Sequence, residues 1–172
     1  MSKNRQHPLR LNVGSLLHQG AGTNQEFEFD LPAIQVGDDL DLSFLRGVLR
    51  LTRTGEGLYI EGALESELEL DCDRCLTSLN QALSVELGEL LYYPPRPGTD
   101  PSEGVPETGI LDLRPLVRDH FFLDMPTHSL CRSDCKGLCP ECGNNLNESN
   151  CEHPETELDP RFAALKSLLP ES

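Results

Sequence analysis

The sequence predicts an α+β protein built on an antiparallel β meander, a small barrel-like sheet, with a few helices and a cysteine-rich C-terminal segment. Three observations carry that expectation. Residues 58–72, LYIEGALESELELDC, alternate apolar and mostly acidic side chains. TGEG at 54–57 links that stretch to FLRGVLRLTR at 44–53. Five of the chain's seven cysteines crowd into 131–151. Period-two alternation marks a half-buried strand, and a short Gly-containing link between two such stretches marks a hairpin.

Taken in order, Leu9, Leu11, Val13, Leu16 and Leu17 suggest a short strand and a helical turn, and Phe27 and Phe29 alternate with acids as a strand does. In 44–53, Leu45, Leu49 and Leu51 face inward while Arg46 and Arg50 face out. In 58–72 the inward set is Ile60, Gly62, Leu64, Ser66, Leu68, Leu70 and Cys72, and the outward set is Glu61, Ala63, Glu65, Glu67, Glu69 and Asp71. With Gly55 and Glu56 as the loop, Arg50 falls opposite Glu61, Arg46 opposite Glu65 and Val48 opposite Ala63. Opposite charges placed across a strand pair support that register. A third strand over roughly 80–92 turns Leu83, Val85 and Leu87 to one face, which puts CDRC, 72–75, in the turn before it.

Residues 94–109, PPRPGTDPSEGVPETG, have the Pro, Gly and acid content of a mobile loop. LDLRPLVRDHFFLDMP, 111–126, then reads as a helix. Asp112 serves as its N-cap, Pro115 lies in its first turn, Pro126 ends it, and Leu113, Leu116, Val117 and Phe121 form its buried stripe. A last helix is expected in DPRFAALKSLL, with Asp159 as cap, Pro160 at its first position and Phe162, Leu165 and Leu169 on one face.

With 172 residues and 37% hydrophobic content, the chain suits one domain or a domain with a small satellite. The division expected is a mainly β domain over 1–125 with one helix, and a cysteine-rich segment over 126–172 packed on it. No apolar run approaches a membrane span. The N-terminus has basic residues but no apolar signal region, so a cytoplasmic protein is expected. In a reducing cytosol, paired cysteines serve as metal ligands or redox centres more often than as disulfides, and an odd total argues the same way.

The cysteines fall into spaced groups: Cys72-x2-Cys75, Cys131-x3-Cys135, Cys139-x2-Cys142 and Cys151-x-His153. Together these are two complete sets of four donors, the number a closed structural Zn2+ site takes. CPECG at 139–143 has the form of a zinc knuckle, in which glycine lets backbone amides turn toward the sulfurs. Cys151 and His153 can close that site locally. Elimination then pairs Cys72 and Cys75 with Cys131 and Cys135, fastening the meander to the C-terminal segment. Joining 131/135 to 139/142 is the rival arrangement. Other readings stand beside these. Cys72 could be a plain buried thiol, His153 a surface histidine, His128 a substitute ligand, and the CxxC pairs a redox switch.

At these residues the chain resembles a known family. LDLRPLVRDH, MP at 125–126, CRSDCKGLCPECGNNLN and DPRFAALKSLL, preceded by LDCDRCL at 70–76, are similar to motifs of the YceD family. Its members are called large ribosomal RNA subunit accumulation proteins. The resemblance covers roughly 40–170. It implies a non-enzymatic ribosome-biogenesis factor of bacteria and plastids that supports accumulation of large-subunit ribosomal RNA. Some relatives keep the first CxxC and a downstream pair while lacking the CPxCG half, which implies separable sites and favours 72/75 with 131/135. His153 stands where many relatives carry cysteine.

No phosphate-binding glycine loop, nucleophile triad or open three-ligand zinc site occurs in the sequence, so no enzyme is expected. A formal net charge of −15, brought to about −18 by two zinc ions and seven thiolates, makes the chain a poor binder of phosphate backbones. The partner expected is a large-subunit precursor, reached through a basic ribosomal protein or a local rRNA element; neither a membrane nor DNA is expected. Arg132, Lys136, Asn144, Asn145 and Asn147 are the candidate contact residues, although asparagines after Gly143 also suit a plain turn. The alternative function is a thiol- or zinc-based redox-sensing regulator.

Overall fold

Inward-facing leucines organise the chain. In a computed structural model, which describes residues 7–98 and 103–151, they lie on one face of an antiparallel sheet. The elements are β1 (Arg10–Asn12), α1 (Gly14–Leu17), β2 (Asn24–Leu31), β3 (Ile34–Gln35), β4 (Asp41–Leu42), β5 (Leu45–Arg53), β6 (Gly57–Asp71), β7 (Ser78–Tyr92), β8 (Ile110–Asp112) and α2 (Arg114–Asp124). The main sheet runs β2-β5-β6-β7, and two small pairs, β1-β8 and β3-β4, stand beside it.

The hairpin β5-β6 has the register read from the charges. Arg50 faces Glu61, Arg46 faces Glu65 and Val48 faces Ala63. The ion pairs nevertheless favour the other neighbour. Arg46 reaches Asp30 at 2.9 Å, and Arg50 reaches Glu26 at 2.6 Å and Glu61 only at 3.9 Å. Both acids come from β2, which pairs antiparallel with β5 along its opposite edge. The meander therefore carries a fourth strand that the sequence reading recognised but did not place. The sheet ends at β2 and β7 and is open, so the barrel-like closure is corrected.

Leu45, Leu49, Leu51, Leu58, Ile60, Leu64, Val85, Leu87 and Leu91 make the inner face. It is covered by Val117 and Phe121 of α2 and by Leu9, Leu11, Val13, Leu16 and Leu17. Phe121 is fully buried, and truncating such a side chain to alanine costs about 3–5 kcal/mol. Ser66, on the inward parity, is buried and donates its hydroxyl to the Phe44 carbonyl.

One further expectation needs correction. Asp112 is not the N-cap of α2: it ends β8, and Leu113 takes the cap position. Its carboxylate still accepts the Arg114 N–H at 3.1 Å and pairs with the Arg114 guanidinium at 2.6 Å. The stretch 94–109, read as a mobile loop, has its centre, 99–102, outside the described residues. Of its flanks, Val105 is fully buried and its N–H donates to the Tyr92 carbonyl at 2.9 Å. The expected helix in 159–169 lies outside the described residues.

Candidate metal centre

β6 and β7 pair over their whole length, from Gly57 opposite Tyr92 to Asp71 opposite Ser78. The hairpin thus carries CDRC to its tip. There the Cys72 N–H donates to the Thr77 carbonyl and the Leu76 N–H to the Cys72 carbonyl, both at 2.9 Å. The two residues between the cysteines grip the C-terminal segment. Asp73 donates its N–H to the Ser129 carbonyl at 2.8 Å, and its carboxylate accepts the Ser129 N–H at 2.8 Å. Arg74 donates from Nη1 to the Cys135 carbonyl at 2.8 Å, while its own carbonyl accepts the Leu138 N–H at 3.0 Å.

These clasps bring Cys72, Cys75, Cys131 and Cys135 together, with all four sulfurs within 4.8 Å of one another. This is the grouping reached by elimination, and Cys139 does not share it. Cys72 Sγ lies 3.8 Å from Cys135 Sγ, and Cys75 Sγ lies 3.6 Å from Cys131 Sγ. A tetrahedron with Zn–S bonds of about 2.3 Å has edges of about 3.8 Å, whereas a disulfide needs about 2.05 Å. The donor set therefore fits a four-sulfur zinc site. Cys72, Cys75 and Cys135 are buried in a small cluster of their own, flanked by Leu79 and Leu138 and separate from the main core.

Cys139, Cys142 and Cys151 form a second group, also within 4.8 Å, with 3.5 Å between the sulfurs of Cys142 and Cys151. His153 lies outside the described residues. His128 is not a substitute: it is exposed, and its Nδ1 faces the Asp73 carboxylate at 3.5 Å. Between the groups, the Gly137 carbonyl accepts the Leu146 N–H at 2.9 Å, and Leu138 forms a bridge with Asn145. No ribbon strand occurs among the described residues of 131–151; both groups are built from turns.

The electrostatics suit a cation. The backbone N–H of Cys131, with burial opposing and the amides of Arg74 and Cys75 assisting, draws the Cys72 thiol down to about 6. Cys131, hydrogen-bonded to the Cys75 sulfur and partly desolvated, is pushed up to about 12. Burial is the largest single influence on Cys135 and raises it, but the Asn147 side chain and the Gly137 N–H outweigh it and the net shift is downward. In the second group the N–H groups of Cys142 and Glu141 lower Cys139, while the Cys142 sulfur and burial push Cys151 up to about 11. Crowded sulfurs cannot all ionise on their own; a dication in their midst replaces the retained protons.

The candidate contact residues have divided roles. Asn147 turns inward: Nδ2 lies 3.3 Å from Cys135 Sγ, and Oδ1 accepts from the Lys136 N–H at 2.9 Å and from Arg132 Nη2 at 2.6 Å. Asn145 accepts the Asn147 N–H at 3.0 Å and donates to Glu148 at 3.2 Å. Asn144 is exposed, and its carbonyl accepts the Cys139 N–H at 2.8 Å. Asn144 and Asn145, read as plain turn residues, both bond within the turn, Asn144 through its carbonyl and Asn145 through its side chain, while Lys136 is exposed. Sequence reasoning missed Asp73 and Arg74 as clasps. Their signal was available, since two charged residues between paired cysteines at a hairpin tip have no packing role.

A family model described as Large ribosomal RNA subunit accumulation protein YceD matches residues 60–169. An uncharacterized protein of Mycobacterium tuberculosis is 34% identical over 162 residues, 91% of this chain and 75% of its own length. One of Mycobacterium leprae is 31% identical over 144 residues, 81% of this chain and 64% of its own. An Arabidopsis thaliana protein named Large ribosomal RNA subunit accumulation protein YCED homolog 1, chloroplastic, is 26% identical over 146 residues, 67% of this chain and 46% of its own. No solved structure matches the chain.

Proposed function

This chain belongs to the YceD family of large ribosomal RNA subunit accumulation proteins, and on that premise we propose that it is a non-enzymatic, cytoplasmic ribosome-biogenesis factor held in shape by two structural zinc ions. The observation that carries the reading is that all seven cysteines and His153 fall inside the matched span, 60–169. The name of the Arabidopsis relative supports the rRNA-accumulation role.

Zinc would be held by Cys72, Cys75, Cys131 and Cys135 in one site, and by Cys139, Cys142, Cys151 and His153 in the other. The ion would supply cross-linking free energy, since folding and metal binding are coupled in sites of this kind. Four protein donors per ion leave no open position for a substrate, which supports a structural rather than a catalytic role. No helix among the described residues is long and apolar enough to cross a membrane.

The partner is a large-subunit precursor, engaged through a basic ribosomal protein. Charge favours a protein partner over RNA: at −15, the chain attracts polycations and repels phosphate backbones. Glu61, Glu65, Glu67, Glu69 and Asp71 lie along the outward side of β6, and Lys136 and Asn144 of the knuckle region are exposed. Depletion followed by subunit profiling and pull-down tests the reading. A deficit of large subunits and recovery of a ribosomal protein is expected; normal subunit ratios with no ribosomal partner overturn it.

One observation keeps a redox-sensing role as the second reading. Cys131 is exposed, and its sulfur lies 3.6 Å from that of Cys75. Thiol titration with and without chelator separates the two, because a sensor releases zinc and forms a disulfide under mild peroxide.

A further inference from the structure

The loop that closes the second cysteine group also supplies a hydrogen-bond donor to the first. Asn147 lies between Cys142 and Cys151, whose sulfurs converge to 3.5 Å. From there its Nδ2 reaches Cys135 Sγ at 3.3 Å and Asn145 Oδ1 at 2.7 Å. The amide orientation is set by the network: Oδ1 already accepts from the Lys136 N–H and Arg132 Nη2, so only the nitrogen can face the sulfur. The backbone repeats the connection, with the Leu146 N–H on the Gly137 carbonyl and Leu138 bridged to Asn145.

Four thiolates around a dication leave a net charge of −2, and N–H groups aimed at the sulfurs offset it. In the first group most such donors come from its own turns. Asn147 is the exception, a side chain delivered from the loop that runs between Cys142 and Cys151.

We infer that Asn147 is a positioning residue through which the second cysteine group sets the metal affinity of the first, so that the two sites load cooperatively. The inference rests on the zinc reading above. Emptying the second site releases the loop, the amide leaves Cys135, and the four-sulfur site weakens. By linkage, filling the first site holds Asn147 in place and strengthens the second.

The test uses the full chain, with zinc competition against a chromophoric chelator and cadmium NMR. Four forms are compared: wild type, Asn147→Ala, Asn147→Asp and Cys142→Ser. Asn147→Asp keeps the acceptor contacts to Lys136 and Arg132, replaces the donor to Cys135 and Asn145 by a charged acceptor, and covers the case in which the alanine variant misfolds. Both Asn147 variants should hold two ions yet lose about tenfold in affinity at the four-sulfur site, the scale of losses at outer-shell partners. The cadmium resonance of that site should shift while the other stays. Cys142→Ser should hold one ion with the same loss. Wild-type affinity at the first site in Cys142→Ser, or in both Asn147 variants, overturns the coupling. A wild-type chain that binds no metal overturns the zinc reading instead, so the two failures are distinguishable.

Discussion

Leu76 occupies in the first cysteine turn the place that Gly143 holds in the second. Each follows the second cysteine of a C-x2-C pair. Each donates its N–H to the carbonyl of the first cysteine, Leu76 to Cys72 at 2.9 Å and Gly143 to Cys139 at 2.8 Å, and each has positive φ, 56° and 73°. For leucine that conformation costs about 1–2 kcal/mol. Little packing is returned, because Leu76 is 65% exposed. Leu76→Gly should therefore stabilise the metal-loaded chain by up to about 1 kcal/mol, after the entropy that glycine adds to the unfolded state. Urea denaturation checks the sign, and a destabilised Leu76→Gly would show that the leucine side chain contributes more packing than its exposure implies.

The contrast between these turns shows where the sequence was legible. CPECG announces its turn because glycine occupies the left-handed position, whereas CDRCL conceals the same turn behind a leucine. The register of β5 and β6 could be read because charge and turn chemistry agree locally, Arg50 with Glu61 across Gly55 and Glu56. The place of β2 could not. Its alternation identifies a strand, but a period of two carries no information about the neighbour, and Glu26 and Asp30 were not matched to the arginines they bind. The β1-β8 pair joins three-residue strands about a hundred residues apart, Arg10 with Asp112, and no local pattern marks so distant a contact. Val105 was hidden by the prolines and acids around it. Asn147, within a run of turn-forming residues, had no spacing signal to mark its reach to Cys135.

Gly47 and Gly62 lie on the inward side of adjacent strands with φ of 147° and 145°. A Cβ on Gly47 would come within 2.1 Å of the Ala63 carbonyl oxygen, and one on Gly62 within 2.1 Å of the Val48 carbonyl oxygen. Backbone oxygens in a paired ladder cannot step aside without breaking ladder hydrogen bonds. Either Gly→Ala change should cost about 2–4 kcal/mol, strain and lost pairing combined. Thermal and urea melts give the value; a cost below about 0.5 kcal/mol at both positions would mean that the strands relax freely there.

The Arg114 guanidinium, bonded to the Asp112 carboxylate, holds that carboxyl below its ordinary range; burial opposes the shift and the Arg114 N–H assists it. A carboxyl with a depressed folded-state value contributes stability above its unfolded value of about 3.9, and that contribution is lost as pH falls through the folded value. Asp112→Asn should thus destabilise the chain at pH near 7 by at most about 1 kcal/mol, since the pair is partly solvated. The difference from wild type should shrink as pH falls below about 3.9. Paired urea titrations at the two pH values measure it, and acid loss of metal affects both proteins alike. A gap that stays constant across the range contradicts the linkage.

Metal removal should divide the molecule in two. The four-sulfur group, with Leu79 and Leu138, is a buried cluster separate from the leucine core of the sheet. Between the hairpin tip and the C-terminal segment the contacts are few and polar, chiefly Asp73 with Ser129 and Arg74 with Cys135 and Leu138. Each such hydrogen bond contributes only about 1 kcal/mol net, too little to hold four crowded thiols together once the dication is gone. The sheet has Leu49, Leu51, Ile60 and Leu64 fully buried, in one core with Phe121 of α2, and does not depend on the ions. Chelation of the full chain should therefore raise amide exchange at Asp73, Leu76, Leu138 and Leu146 while Ile60 and Leu64 stay protected. Mass spectrometry should count two zinc ions before chelation, one in Cys75→Ser and one in Cys142→Ser. If chelation leaves exchange at the hairpin tip unchanged, the polar clasps alone hold the segment, and zinc is not what joins the C-terminal segment to the sheet.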